Sequence, residues 1–112
     1  MLYSLEKLNE LSGGDEDFIV SILTVFVEET PQDLSDLKLA IEVEAFDAVY
    51  QSAHKIKPNV DLLGMDETTA HVMSIETEAK TTKNLSRIEK LFPKVEATIL
   101  ACIEEIKSDY NL

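Results

Sequence analysis

The apolar side chains Phe46, Val49, Ala53, Ile56, Val60 and Leu63 follow one another at steps of three, four, three, four and three. Leu85, Ile88, Phe92, Val95, Ile99, Cys102 and Ile106 repeat the same rhythm. That spacing keeps every member on one face of an α-helix, whereas a strand alternates every second residue. Each stripe is the seam of a helix that packs on other helices. A chain with two such seams is expected to be a helical bundle.

The remaining sequence supplies the partners. Residues 2–11 read as a short helix that stops at Gly13-Gly14. Asp15 can cap a second helix over 16–29, with Phe18, Ile19, Ile22, Leu23 and Phe26 inward. Thr30-Pro31 reads as a cap followed by proline at a first helical position. It opens a third helix over 31–42, nearly continuous with the second, that buries Leu34, Leu37 and Ile41. The first seam lies on a fourth helix over 44–63, ended by Gly64. A fifth helix spans 66–80, with Val72, Ile75 and Ala79 inward. Asn84 caps the last, and Pro93 should bend it without ending it, because the stripe continues in phase. Counting the second and third as one broken segment, the expected fold is all-α. It is a single domain over 1–112: an antiparallel four-helix bundle with a short additional N-terminal helix covering one end.

Charge narrows the partners. The chain carries 10 Lys and Arg against 22 Asp and Glu, a formal net charge of −12. Such a surface repels phosphate backbones and anionic membranes, so neither nucleic acid nor membrane is an expected partner. No apolar run approaches a membrane span, and the first residues do not resemble a secretory signal, so a cytoplasmic protein is expected. All apolar stripes are used inside, so a monomer is expected. Cys102 is the sole cysteine; it allows no internal disulfide and reads as a core residue.

One segment carries chemistry: Ala53-His54-Lys55-Ile56-Lys57-Pro58-Asn59-Val60. His54 sits one residue off the seam, about 100° around the helix. Lys57 is one turn further along the same flank, with Asp47, Tyr50 and Asp61. A neutral imidazole is a nucleophile near neutral pH, and an ammonium one turn away can balance the charge of an arriving phosphoryl group. Pro58 removes the N–H partner of the His54 carbonyl. The bend this implies could open the His54 surface, or could simply fit the helix to the bundle. From residues alone, a surface histidine beside lysines is more often a solvated polar group.

The pattern resembles the histidine-containing phosphotransfer, or HPt, family. That family's central motif is Ala-His-x-Leu-Lys-Gly, with small residues and a glycine further on. Here it reads Ala53-His54-Lys55-Ile56-Lys57-Pro58-Asn59, then Leu62-Leu63-Gly64. Residues 11–18, from Leu11 through Gly13-Gly14-Asp15 to Phe18, are similar to the family's opening. Ala45-Phe46-Asp47 is similar to its helix start, and Ile75-Glu76-Thr77-Glu78-Ala79 to its Leu-Glu-x-x-Ala segment. The resemblance implies that His54 is a phosphoacceptor, that Lys57 stabilises the phosphoryl group and that Lys55 assists. It implies that Glu76 hydrogen-bonds the other ring nitrogen and so fixes the tautomer. Partners would be response-regulator receiver domains, including those of a hybrid sensor histidine kinase, with Mg²⁺ supplied by the receiver and no cofactor on this chain. Pro58 stands where the family has glycine, a departure that bears on docking geometry more than on chemistry; Pro58, with Asn59 and Asp61 as rim, is the expected docking surface around His54. There is no Gly-rich phosphate loop, so a carrier is expected rather than a kinase.

Two other readings remain. The same surface could bind and sequester a receiver without transfer. A di-iron bundle needs Glu-x-x-His pairs, and neither His54, preceded by Gln51, nor His71, preceded by Thr68, completes one. No metal site is therefore expected.

Overall fold

The computed structural model describes residues 1–112 and contains five helices and no strand: α1 (Glu6–Ser12), α2 (Glu16–Glu42), α3 (Phe46–Leu62), α4 (Asp66–Lys80) and α5 (Leu85–Tyr110). Helices α2 to α5 form a ring in which α2 packs on α3, α3 on α4, α4 on α5 and α5 back on α2. The connections are only a few residues long, which makes sequential helices antiparallel. Both apolar seams face inward, and 26 buried residues, Cys102 among them, form one continuous core. No helix is long and apolar enough to cross a membrane.

The expected break at Thr30-Pro31 does not occur. Helix α2 runs for 27 residues, and Thr30 is a buried mid-helix residue rather than a cap. Phe26, Leu34 and Leu37 lie on one stripe across the proline and are almost fully buried. Each such side chain contributes about 1.5–3 kcal/mol, and together they outweigh the roughly 3 kcal/mol cost of an interior proline. Pro31, Pro58 and Pro93 all sit inside helices and all face solvent. The carbonyls they leave without an amide partner belong to residues at or near the surface, where water can reach. The start of α2 is as expected, the Asp15 carboxylate accepting from the Phe18 N–H at 3.3 Å. Phe18 itself does not face inward. It is 40% exposed, and the buried stripe of α2 begins at Ile19.

The first helix is shorter than its sequence suggests. It starts at Glu6, and the residues before it form a strap. The Leu2 N–H donates to Glu105 at 2.9 Å, the Tyr3 hydroxyl donates to Asp109 at 2.6 Å and the Ser4 N–H donates to the Leu63 carbonyl at 2.7 Å. Tyr3 and Leu8 are buried, so this segment does close one end of the bundle. Gly64 fixes the turn beneath it. Its φ is +67°, and a Cβ there would lie 2.8 Å from that of Ser4. The opposite turn, between α2 and α3, uses Glu44 at φ +55°, which starts α3 at Phe46 rather than at 44.

Candidate functional site

Helix α3 carries His54 on its outer ridge, and α4 runs beside it. The motif spacing puts His54 and Lys57 one turn apart, on the side of α3 that borders α4. Glu76 is the residue of α4 that meets them. Its Oε2 lies 3.0 Å from His54 Nδ1, and its Oε1 lies 3.5 Å from Lys57 Nζ. One carboxylate therefore bridges the imidazole and the ammonium. The Glu76 side chain is only 16% exposed, while that of His54 is 56% exposed. The carboxylate is mostly covered and the ring it holds is open.

The hydrogen bond decides the ring's chemistry. A carboxylate only accepts, so the Nδ1–H of His54 donates to Glu76. In the neutral ring the lone pair is then on Nε2, the nitrogen turned away from the bundle. A nucleophile with its other nitrogen held by an acid is the arrangement that orients an imidazole for attack at one defined atom. Tyr50, one turn earlier, covers part of one ring face.

The other expected residues divide by side. Lys55 points towards α2, where its Nζ lies 2.8 Å from Asp33 Oδ1. Asp33 is 3% exposed, so the salt bridge is anchored in the α2–α3 contact. Its hydrogen bond raises the Lys55 pKa above the ordinary lysine value. Lys55 thus sits next to His54 in sequence but is drawn away from Glu76 and Lys57. Of the docking rim, Pro58 is exposed, and α3 runs through it without ending. Asn59 borders the α2 side, in an apolar groove with Ile22, Val25, Phe26 and Leu62. Asp61 is held by Lys7 of α1 at 2.9 Å. Pro58 and Asp61 share one hollow with Lys57, and Asn59 lies apart in the groove on the α2 side. No three His, Cys, Asp or Glu side chains converge in a manner that could hold a metal ion. Burial raises the Cys102 thiol to about 12, so it is no nucleophile at neutral pH.

Two contacts were missed by sequence reasoning. Helical spacing puts Tyr50 on the flank of His54, but the stacking of the two rings depends on side-chain torsions that spacing does not give. Asp33 carried a signal: a charged residue on the buried 30–34–37 stripe is unusual unless it has a partner.

The sequence profile of the Hpt domain matches residues 21–109. The chain belongs to the Hpt-domain family. Hpt domains carry phosphoryl groups on histidine in phosphorelays and act as carriers rather than kinases, meeting receiver domains as partners. The matched range contains the whole His54 motif and Glu76, and leaves out residues 11–18. No curated protein and no solved structure gave a significant match to this Hpt chain.

Proposed function

We propose that this Hpt domain accepts a phosphoryl group on Nε2 of His54 from the aspartyl phosphate of a response-regulator receiver and passes it to a second receiver aspartate. The observation that carries this reading is the single carboxylate of Glu76 that joins His54 Nδ1 to Lys57 while the ring remains open to solvent.

In the forward step the Nε2 lone pair attacks phosphorus in line, and the bond from phosphorus to the aspartyl oxygen breaks. The receiver keeps its carboxylate. The ring gains positive charge, which Glu76 balances through the Nδ1–H. Lys57 offers its ammonium to the equatorial oxygens, where charge is spread in the transition state. Return to a second receiver reverses each change. The Mg²⁺ this chemistry uses belongs to the receiver, so no residue of this chain is asked to bind metal. The apolar groove bordered by Asn59 and the exposed Pro58 supply docking surface of the modest size that transient complexes use. The chain works as one domain, as a monomer and in the cytoplasm, where receivers are found.

The test is transfer in vitro. Purified chain is mixed with a radiolabelled phosphoreceiver and Mg²⁺, beside a His54→Gln variant. An acid-labile label on the wild type alone supports the carrier. Receivers that bind with no label moved would favour a sequestering module instead.

A further inference from the structure

His54 is held at its edge by Glu76, but one hydrogen bond does not fix a ring. The torsion that turns an imidazole about its Cβ–Cγ bond is broad. A half-turn exchanges Nδ1 with the Cδ2 carbon and would carry the protonated nitrogen away from Glu76. Something must resist that turn if Nε2 is to stay presented.

The structure holds such a contact. The Tyr50 ring lies nearly parallel to the His54 ring, with an interplanar angle of 14° and centroids 5.7 Å apart. On α4, one turn after Glu76, Lys80 places its ammonium 5.1 Å from the centroid of the Tyr50 ring. Cation, phenol ring and imidazole follow one another along the α3–α4 surface. Tyr50 is only partly buried and Lys80 is exposed, so neither residue belongs to the fully buried core. The contacts of Tyr50 at this site are made by the ring, to the His54 imidazole on one side and the Lys80 ammonium on the other.

We propose that Tyr50 is a positioning residue for phosphotransfer, and that Lys80 holds it in place. The stacked phenol ring keeps the His54 plane in the orientation that leaves Nδ1 on Glu76 and Nε2 towards the receiver. The cation over the Tyr50 ring restrains it through the attraction of its π-face for positive charge. This inference rests on His54 being the phosphoacceptor. It adds a second restraint on the ring to the one made by Glu76.

Tyr50→Leu, Tyr50→Phe and Lys80→Met are compared with the wild type in the full chain. Nitrogen-15 NMR of the unphosphorylated protein gives the tautomer of His54 without any receiver present, and His71 reports whether the fold is intact. Single-turnover transfer from a phosphoreceiver gives rate and half-saturation separately. Tyr50→Leu is expected to populate the Nε2–H tautomer and to lower the saturated rate about fivefold, the value of one lost aromatic face contact, with half-saturation unchanged. Tyr50→Phe should restore both readouts. Lys80→Met, a surface change that cannot empty the core, should lower the rate by about twofold. The proposal is overturned if Tyr50→Leu keeps the wild-type tautomer and rate with the His71 signal intact, or if Tyr50→Phe behaves as Tyr50→Leu does. Should the wild type take no label at all, the carrier reading fails, and the tautomer measurement still decides whether Tyr50 orients the ring.

Discussion

Two lysines follow His54, and each ends on a carboxylate of a neighbouring helix, yet the two ion pairs differ in kind. Lys55 reaches across to α2, where its partner Asp33 is almost fully buried. Lys57 reaches towards α4, where Glu76 also holds the imidazole. The first pair is a tether between two helices. In the second, one acid couples a cation to the reactive ring, so that a change at one is felt by the other. Composition does not distinguish them. Position does, because residue 55 turns to the α2 side of α3 and residue 57 to the α4 side.

The largest test of this contrast replaces each lysine with alanine. Lys57→Ala is expected to slow phosphotransfer about a hundredfold, at the lower end of what losing a charge-stabilising group costs. Lys55→Ala should stay within about threefold, since the charge it removes is aimed elsewhere. Equal losses in a single-turnover assay would erase the distinction. Glu76→Gln comes next. The amide can still meet Nδ1 but no longer demands a proton there, and transfer should fall about tenfold, below the range of a group that moves the proton itself. An unchanged rate would show that Glu76 serves only as a salt-bridge partner.

The smallest effect belongs to the tether, and it shows in stability rather than in transfer. Asp33→Asn should lower the urea midpoint while leaving the transfer rate within about twofold. The pair is also pH-dependent. Asp33 raises the Lys55 pKa above 10.5 in the folded state, so the stabilisation is complete below that value and is lost as pH climbs through the higher folded-state value. In strongly alkaline urea titrations the wild type should therefore converge on Asp33→Asn. A constant gap between them at all pH values would contradict the tether.

The parts of this molecule that were legible in its sequence are those governed by local periodicity and by caps. Both seams, the Asp15 and Asn84 caps and the Gly64 stop lie where the pattern puts them, because each depends on residues a few positions apart. The near-continuity of the two halves of α2 was legible, but the absence of any break at Thr30-Pro31 was not. The proline rule is local, whereas the burial that overrides it comes from α3 and α5. Glu44 and Lys83 adopt left-handed conformations that ordinarily favour glycine, and nothing in their side chains announces it. At the site, His54 and Lys57 were visible as an i, i+3 pair on one helix. Glu76 lies on another helix, so no spacing could reach it, and it entered through the family resemblance. The roles of Tyr50, Lys80 and Asp33 needed two packed helices before they could be seen.

The strap ahead of α1 has a consequence of another sort. Tyr3 and Asp109 are 106 positions apart, and Ser4 bonds to Leu63, while most contacts of the bundle join helices that are adjacent in the chain. Closing a loop of nearly the whole polypeptide is entropically the most expensive step available to it. The helical ring, built from nearer contacts, forms on a faster timescale. The strap is therefore expected to dock last on folding and to open first in native-state hydrogen exchange, leaving the four helices that build the His54 surface assembled while their covered end breathes.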